Sequence, residues 1–133
     1  MKKFLLSLFS MLLLATVTNA QKVNIYPVVV SFNSICCGVP DNGPVINLVK
    51  RFKKQNRLKV FAVDSIGPLG REGEYYLAFS LKELNKAQRT RFIQQLKKII
   101  PTMVDKGTAE IKENETVNMG DLSGRASLTV LKY

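Results

Sequence analysis

The chain has 133 residues, enough for one domain around one hydrophobic core, and carries a formal net charge of +10 with no histidine. Without imidazole the commonest general base and a principal zinc ligand are missing, which argues against acid–base enzymes and most zinc chemistry. With only two cysteines, no framework of several disulfides holds the fold.

Lys2 and Lys3 precede an apolar run from Phe4 to Val17, broken only by Ser7, Ser10 and Thr16. Thr18-Asn19-Ala20 then places small residues where a signal peptidase reads. This is the order of a secretory signal peptide over residues 1–20, cleaved between Ala20 and Gln21, ahead of a single domain over 21–133. The run is short for a membrane span, no basic cluster stops it, and no cysteine at the cleavage point offers a lipid anchor. The expectation is a periplasmic or secreted protein that is not an integral membrane protein. Loss of Lys2 and Lys3 lowers the net charge to +8, a balance that suits an anionic surface or ligand and that solubility alone also explains. Nucleic acid is not an expected partner for an exported chain.

Pro27 cannot donate to a strand ladder, so Val28-Val29-Val30-Ser31-Phe32 is the segment expected as a buried central strand, with Lys22 to Tyr26 as a separate lead-in. After the loop that holds both cysteines, Asp41 or Asn42 can cap a helix that has Pro44 in its first turn. Val45, Leu48, Val49 and Phe52 recur at helical spacing and give it one apolar stripe. Leu58 to Ser65 reads as a second strand and Glu74 to Leu81 as a third, joined across the glycine-rich Ile66–Gly73 segment as a long hairpin. In the third strand Tyr75, Leu77, Phe79 and Leu81 share the core face, and Glu74, Tyr76, Ala78 and Ser80 the other.

Asn85 with Gln88, or Ser80 with Glu83, offers a capping box for a second helix bearing Phe92, Ile93, Leu96, Ile99, Ile100 and Met103. Pro101 should kink or end it. Thr108 to Val117 follows as a polar edge strand and Ala126 to Lys132 as a last strand. The order strand, helix, strand, strand, helix, strand implies an α+β fold resembling a ferredoxin-like split βαβ (βαββαβ) two-layer sandwich, with an extra C-terminal strand. Such a fold hosts unrelated functions, so function must come from a site.

Cys36 and Cys37 adjoin in the loop Ser34–Pro44. Outside the cytoplasm such a pair has three states open to it: a ring between neighbours, a thiolate pair for a soft metal, or two plain thiols. Consecutive Cα atoms lie about 3.8 Å apart, under the usual 4.4–6.8 Å of a disulfide, so the ring would be strained and readily reduced. Heavy-metal-associated domains resemble this architecture and carry thiols after their first strand, but space them by two residues. A metal site here would have two sulfurs only, suited to Cu(I), and no cofactor is the leading expectation.

The hairpin tip Gly67–Glu74 (GPLGREGE) needs glycines for its turns but also holds Arg71, Glu72 and Glu74, a possible anion clamp and carboxylate pair. Gly73–Phe79 faintly resembles the aromatic strand of RNA-recognition motifs, although Glu74 stands where stacking needs a ring. Asn114-Glu115-Thr116 matches a glycosylation sequon. The best-supported expectation is a small exported binding or accessory protein without enzymatic activity. Its recognition end would combine Cys36, Cys37 and Gly38 with Arg71, Glu72 and Glu74; a thiol-redox or Cu(I)-handling protein built on Cys36 and Cys37 is the alternative. In the split βαβ order both loops fall at one end of the sheet.

Overall fold

The computed structural model of the chain describes residues 23–133 apart from 121, 123 and 125. The expected signal peptide lies outside the described residues. Five strands form one antiparallel sheet: β1 (Val23–Ser34), β2 (Ala62–Gly67), β3 (Tyr75–Phe79), β4 (Gly107–Asn118) and β5 (Ser127–Lys132), in the order β4-β1-β3-β2-β5. Two helices, α1 (Gly43–Gln55) and α2 (Lys86–Ile99), complete an α+β architecture.

β1 runs unbroken through Pro27, where two separate segments are expected from the sequence. It pairs with β4 from Val23↔Asn118 to Ser34↔Gly107. Pro27 and Asn114 face each other at the one skipped step, between Tyr26↔Glu115 and Val28↔Glu113. Because Asn114 takes φ 53°, a conformation that Asn tolerates better than most residues, both strands bend together at this step. The bend switches faces. Val28, Val30 and Phe32 point into the helix-covered core, whereas Tyr26 and Val29, three apart, join the opposite face with Val117.

The helix-covered core gathers Val45, Leu48, Val49 and Phe52 of α1, Phe92 and Leu96 of α2, and Leu77, Phe79 and Leu81 beside Phe61 and Val63. At its centre Phe52, Phe61, Phe79 and Phe92 meet mostly at edge-on or tilted angles, with ring centroids 5.0–6.4 Å apart. Deleting one such ring typically costs about 3–5 kcal/mol. The other sheet face is not simply solvated, as alternation alone implies. Ala78 lies there in a second, smaller cluster with Tyr26, Val29, Ile66 and Val117, flanked by Leu69, Tyr76 and Leu128.

Asn85 and Gln88 make the reciprocal capping box at the start of α2, each side chain accepting from the other's backbone at 2.9 Å. Asn42 stands at the α1 N-cap, but its side chain makes no capping bond to the helix. Pro101 ends α2 as expected, leaving the 3₁₀ turn Ile100–Thr102. β2 begins at Ala62, later than Leu58, and Arg57 takes φ 51° in the turn after α1. Phe61 instead pairs with Tyr133 through two backbone bonds of 3.1 and 3.2 Å.

The bend at Asn114 sets a test. Replacing Asn114 by Gly should leave the melting temperature nearly unchanged, whereas Asn114→Val should destabilise by about 1–3 kcal/mol, since a β-branched residue is strained at positive φ. Equal melting of the two variants in a thermal scan would contradict the bend.

Candidate functional site

The C-terminal end of β1 carries the cysteine loop. Ser34 pairs with Gly107, and the Ile35 amide donates to the Lys106 carbonyl at 3.1 Å. The Gly38 amide donates to Ser34 Oγ at 3.4 Å. Gly38 takes φ 125°, a backbone that glycine alone adopts readily. Pro40 is buried behind the loop against Gly107, where an added Cβ would also strike the Asn33 carbonyl. The loop is thus tied to the residues just before β4 at its start and to Pro40 at its end, leaving Cys36 and Cys37 exposed.

Of the three states open to the pair, the structure holds two free thiols. Cys36 Sγ lies 4.0 Å from the Lys106 carbonyl. A hydrogen bond to the Cys37 side chain, then desolvation and the charge of its neighbour, pushes the Cys36 thiol above its ordinary pKa, and the Glu72 carboxylate adds to the rise. A raised pKa lowers the thiolate fraction of Cys36 at neutral pH. Among the described residues no group of three or more His, Cys, Asp or Glu side chains could hold a metal ion.

The β2–β3 hairpin turns over at the same end. Its base is fixed by the register pair Phe32↔Tyr75, whose rings stack 4.6 Å apart at 3°. The Tyr75 hydroxyl is hydrogen-bonded to the Asn42 side chain at the foot of α1, and burial pushes its pKa up to about 12. Across the turn the Leu69 amide donates to the Glu74 carbonyl at 2.6 Å, following a cis Gly67–Pro68 bond. Glu74 is not the free half of a carboxylate pair. Its Oε2 accepts from the Glu72 amide at 3.1 Å and its carboxylate packs against Gly70, which leaves no room for a side chain there. Glu74 therefore shapes the tip, while Arg71 and Glu72 stand exposed on it.

Cys36, Cys37 and Gly38 thus lie at the same sheet end as Arg71, Glu72 and Glu74, and the Glu72 charge reaches the Cys36 thiol. The sequence reading missed the groups that build this end: Tyr75 and Asn42, and the Lys106 carbonyl that anchors the loop. Gly107, a lone glycine opening a strand pattern, was the available signal for the last of these. Beside the loop, Pro40, Asp41, Pro44, Met103 and Val104 line a cleft of about 190 Å³. That is below the 300–1,000 Å³ usual for enclosed ligands, so this end offers a surface for contact and not a chamber.

A larger groove of about 610 Å³ opens at the opposite end of the sheet, lined by Val23, Ile25, Tyr26, Asp64, Lys82 and Val130 among others. Its volume suits a ligand, but its central polar groups already satisfy each other. Tyr26 donates to Asp64 Oδ2 at 2.7 Å and accepts from Asn24 at 3.4 Å. Burial and then the bond to Asp64 push the Tyr26 pKa up to about 12. The groove is a less direct candidate than the cysteine end. No protein-family model, curated protein or solved structure matches this chain.

Two measurements test this chemistry. Site-resolved alkylation should show Cys36 titrating above the ordinary thiol value, and Cys37→Ala should bring its midpoint down; an unmoved midpoint would break the inferred coupling. Both phenols have folded-state pKa values above the unfolded value of 10, so their stabilising contribution is complete below pH 10. It is lost as the pH rises through about 12. Denaturant midpoints should fall across that window, less steeply in Tyr26→Phe and Tyr75→Phe; parallel pH profiles for all three proteins would contradict the assignment.

Proposed function

We propose that this is a small exported binding or accessory protein whose recognition end is the cysteine loop together with the Gly67–Glu74 hairpin. The reading rests chiefly on one observation: segments more than thirty residues apart, carrying the only two cysteines and an unpaired arginine among the described residues, are held at one sheet end by the Phe32–Tyr75 stack. Exposed groups on a rigid base are where binding residues concentrate, because the frame supplies their order and the loop leaves them accessible. The sheet order β4-β1-β3-β2 supports the ferredoxin-like split βαβ, with β5 as an added strand beside β2. Export through residues 1–20 rests on their sequence pattern.

One observation favours a second reading. The Cys36 and Cys37 thiols adjoin and are open to solvent, so both sulfurs are accessible to an oxidant or to a soft metal ion.

Photo-crosslinking in the producing cells separates these readings from a bare surface. A photoreactive residue at position 37 or 71 should trap a common species that one at Asn47, on the far side of α1, does not. Arg71→Ala should reduce the trapping at position 37 and shift the melting temperature little, since an exposed tip contributes little to the core. Equal trapping from all three positions, or none from 37 and 71, would sink the recognition end. Counting thiols with and without reductant and titrating Cu(I) then isolates the thiol reading. Stoichiometric Cu(I) uptake abolished by Cys36→Ser with Cys37→Ser supports it, and no uptake with thiols that stay reduced removes it.

A further inference from the structure

The two helices carry all their charge with one sign. α1 holds Lys50, Arg51, Lys53 and Lys54, and α2 holds Lys86, Arg89, Arg91, Lys97 and Lys98, while neither contains Asp or Glu. Helical periodicity aims Val45, Leu48, Val49 and Phe52 inward and so turns Asn47, Arg51 and Lys54 outward. In the same way burial of Phe92 and Leu96 turns out Arg91, Gln94 and Lys98. Acidic residues sit elsewhere, on β4 as Glu110, Glu113 and Glu115, on β2 as Asp64, and in the loops. Among the described residues one ion pair touches the layer, Lys97 with Glu113 at its margin. Lys50 lies over the Tyr133 ring and Arg89 donates to the Leu84 carbonyl. Arg51, Lys54, Lys86, Arg91 and Lys98 are exposed and make no ion pair among the described residues.

Helix stability does not account for this layer. Basic groups in a last turn complement the helix dipole, which covers Lys53, Lys54, Lys97 and Lys98. Lys86 and Arg89, however, stand in the opening turns of α2, where the dipole favours acids and none is present. Cations crowded without counter-ions repel one another and gain only when an anionic partner neutralises them.

We propose that the outer face of α1 and α2 docks the protein on an anionic phospholipid bilayer. Charge complementarity selects the partner's sign, and the absence of aromatic side chains from the outer face selects its kind. Phe52 and Phe92, the only rings on the helices, are buried, so the surface has no platform for stacked bases. It likewise lacks an apolar anchor for insertion, because the helix apolar residues face the core. Binding is therefore peripheral, set by the number of cations that reach the headgroup layer and screened by salt. The surface shares no residue with the cysteine end, so it stands or fails independently of that reading.

The test is co-sedimentation with vesicles. All the described strands and helices lie within residues 23–133, so the chain beginning at Gln21 is used, mixed with phosphatidylglycerol–phosphatidylcholine vesicles or with phosphatidylcholine alone. Binding to the mixed vesicles at low salt, lost at high salt and absent on phosphatidylcholine, is expected. Reversing Arg51, Lys54, Arg91 and Lys98 to Glu should weaken partitioning more than about tenfold, each surface cation being worth about fivefold. A control reversing Lys59, Lys82, Lys106 and Lys132, also exposed, makes the same change in net charge and should retain most of the binding. If the helix set misfolds by circular dichroism, the same four positions changed to Gln provide the comparison. Equal loss in both sets would show net charge acting without a docking face and would overturn the proposal. Tighter binding to a single-stranded oligonucleotide than to the mixed vesicles, at equal phosphate, would overturn it in favour of a nucleic-acid surface.

Discussion

Five consecutive residues of β1, Val28 to Phe32, have no contact with solvent on either face. Everything else in the fold depends on enclosing them. Burying both faces of one strand requires a layer on each side and a neighbour along each edge. β3 and β4 supply the edges, the two helices cover one face, and the smaller cluster around Ala78 and Ile66 covers part of the other. Ser31, the one polar residue in the run, is accommodated by hydrogen bonding to the Glu110 carbonyl and the Asn33 side chain. A buried hydroxyl without such partners would cost about 1–3 kcal/mol.

Once β1 is enclosed, its two ends behave differently. At the C-terminal end the β1–β3 ladder continues to Phe32↔Tyr75, so the aromatic stack sits directly beneath both loops and gives them a rigid base. At the other end β3 stops at Phe79 while β1 and β4 run on to Val23 and Asn118. The cause is Leu81, held at φ 52° with its side chain buried in the helix-side core, which takes the chain out of the sheet. Val23 to Tyr26 are left without a β3 neighbour, and the groove opens where that neighbour would lie. Two side chains bridge the gap in its place. Tyr26 reaches Asp64, and Glu83 accepts from the Ala62 amide at 3.4 Å.

Much of this was legible in the sequence wherever one local pattern determined the outcome. The stripe Val45, Leu48, Val49, Phe52, the Asn85–Gln88 box, the stop at Pro101 and the buried run Val28–Phe32 each rest on spacing or on a single residue's chemistry. What escaped depends on pairing between distant segments. Pro27 alone reads as a break in a strand, and only the opposed Asn114, eighty-seven positions away, turns that break into a shared bend. Similarly, alternation sets Tyr76 and Ala78 on the face away from the main core but does not reveal the second cluster that Ala78 forms with Tyr26, with Tyr76 and Leu128 packed against it. At the candidate site the exposed residues were legible as oddities of composition. Their supports were not, because a carbonyl such as that of Lys106 leaves no mark on the sequence.

The same enclosure explains how charge is distributed. With β1, β3 and β2 in the interior of the sheet, β4 and β5 are its edges, and an edge strand presents unpaired backbone groups that invite association. β4 counters this with Glu110, Lys112, Glu113 and Glu115 along its length, and Lys112 also covers the Tyr76 ring at 5.7 Å. Acidic residues are thereby placed on the sheet edge for reasons of negative charge and solubility, while the helices, whose backbone bonds are satisfied internally, need no such protection. Protection of edges can therefore account for the acids on β4 but supplies no reason for the cations on α1 and α2. Since the dipole explains only those in the last turns, the remaining positive charge is the part of this surface that folding leaves unexplained, and the part on which selection for a partner can act.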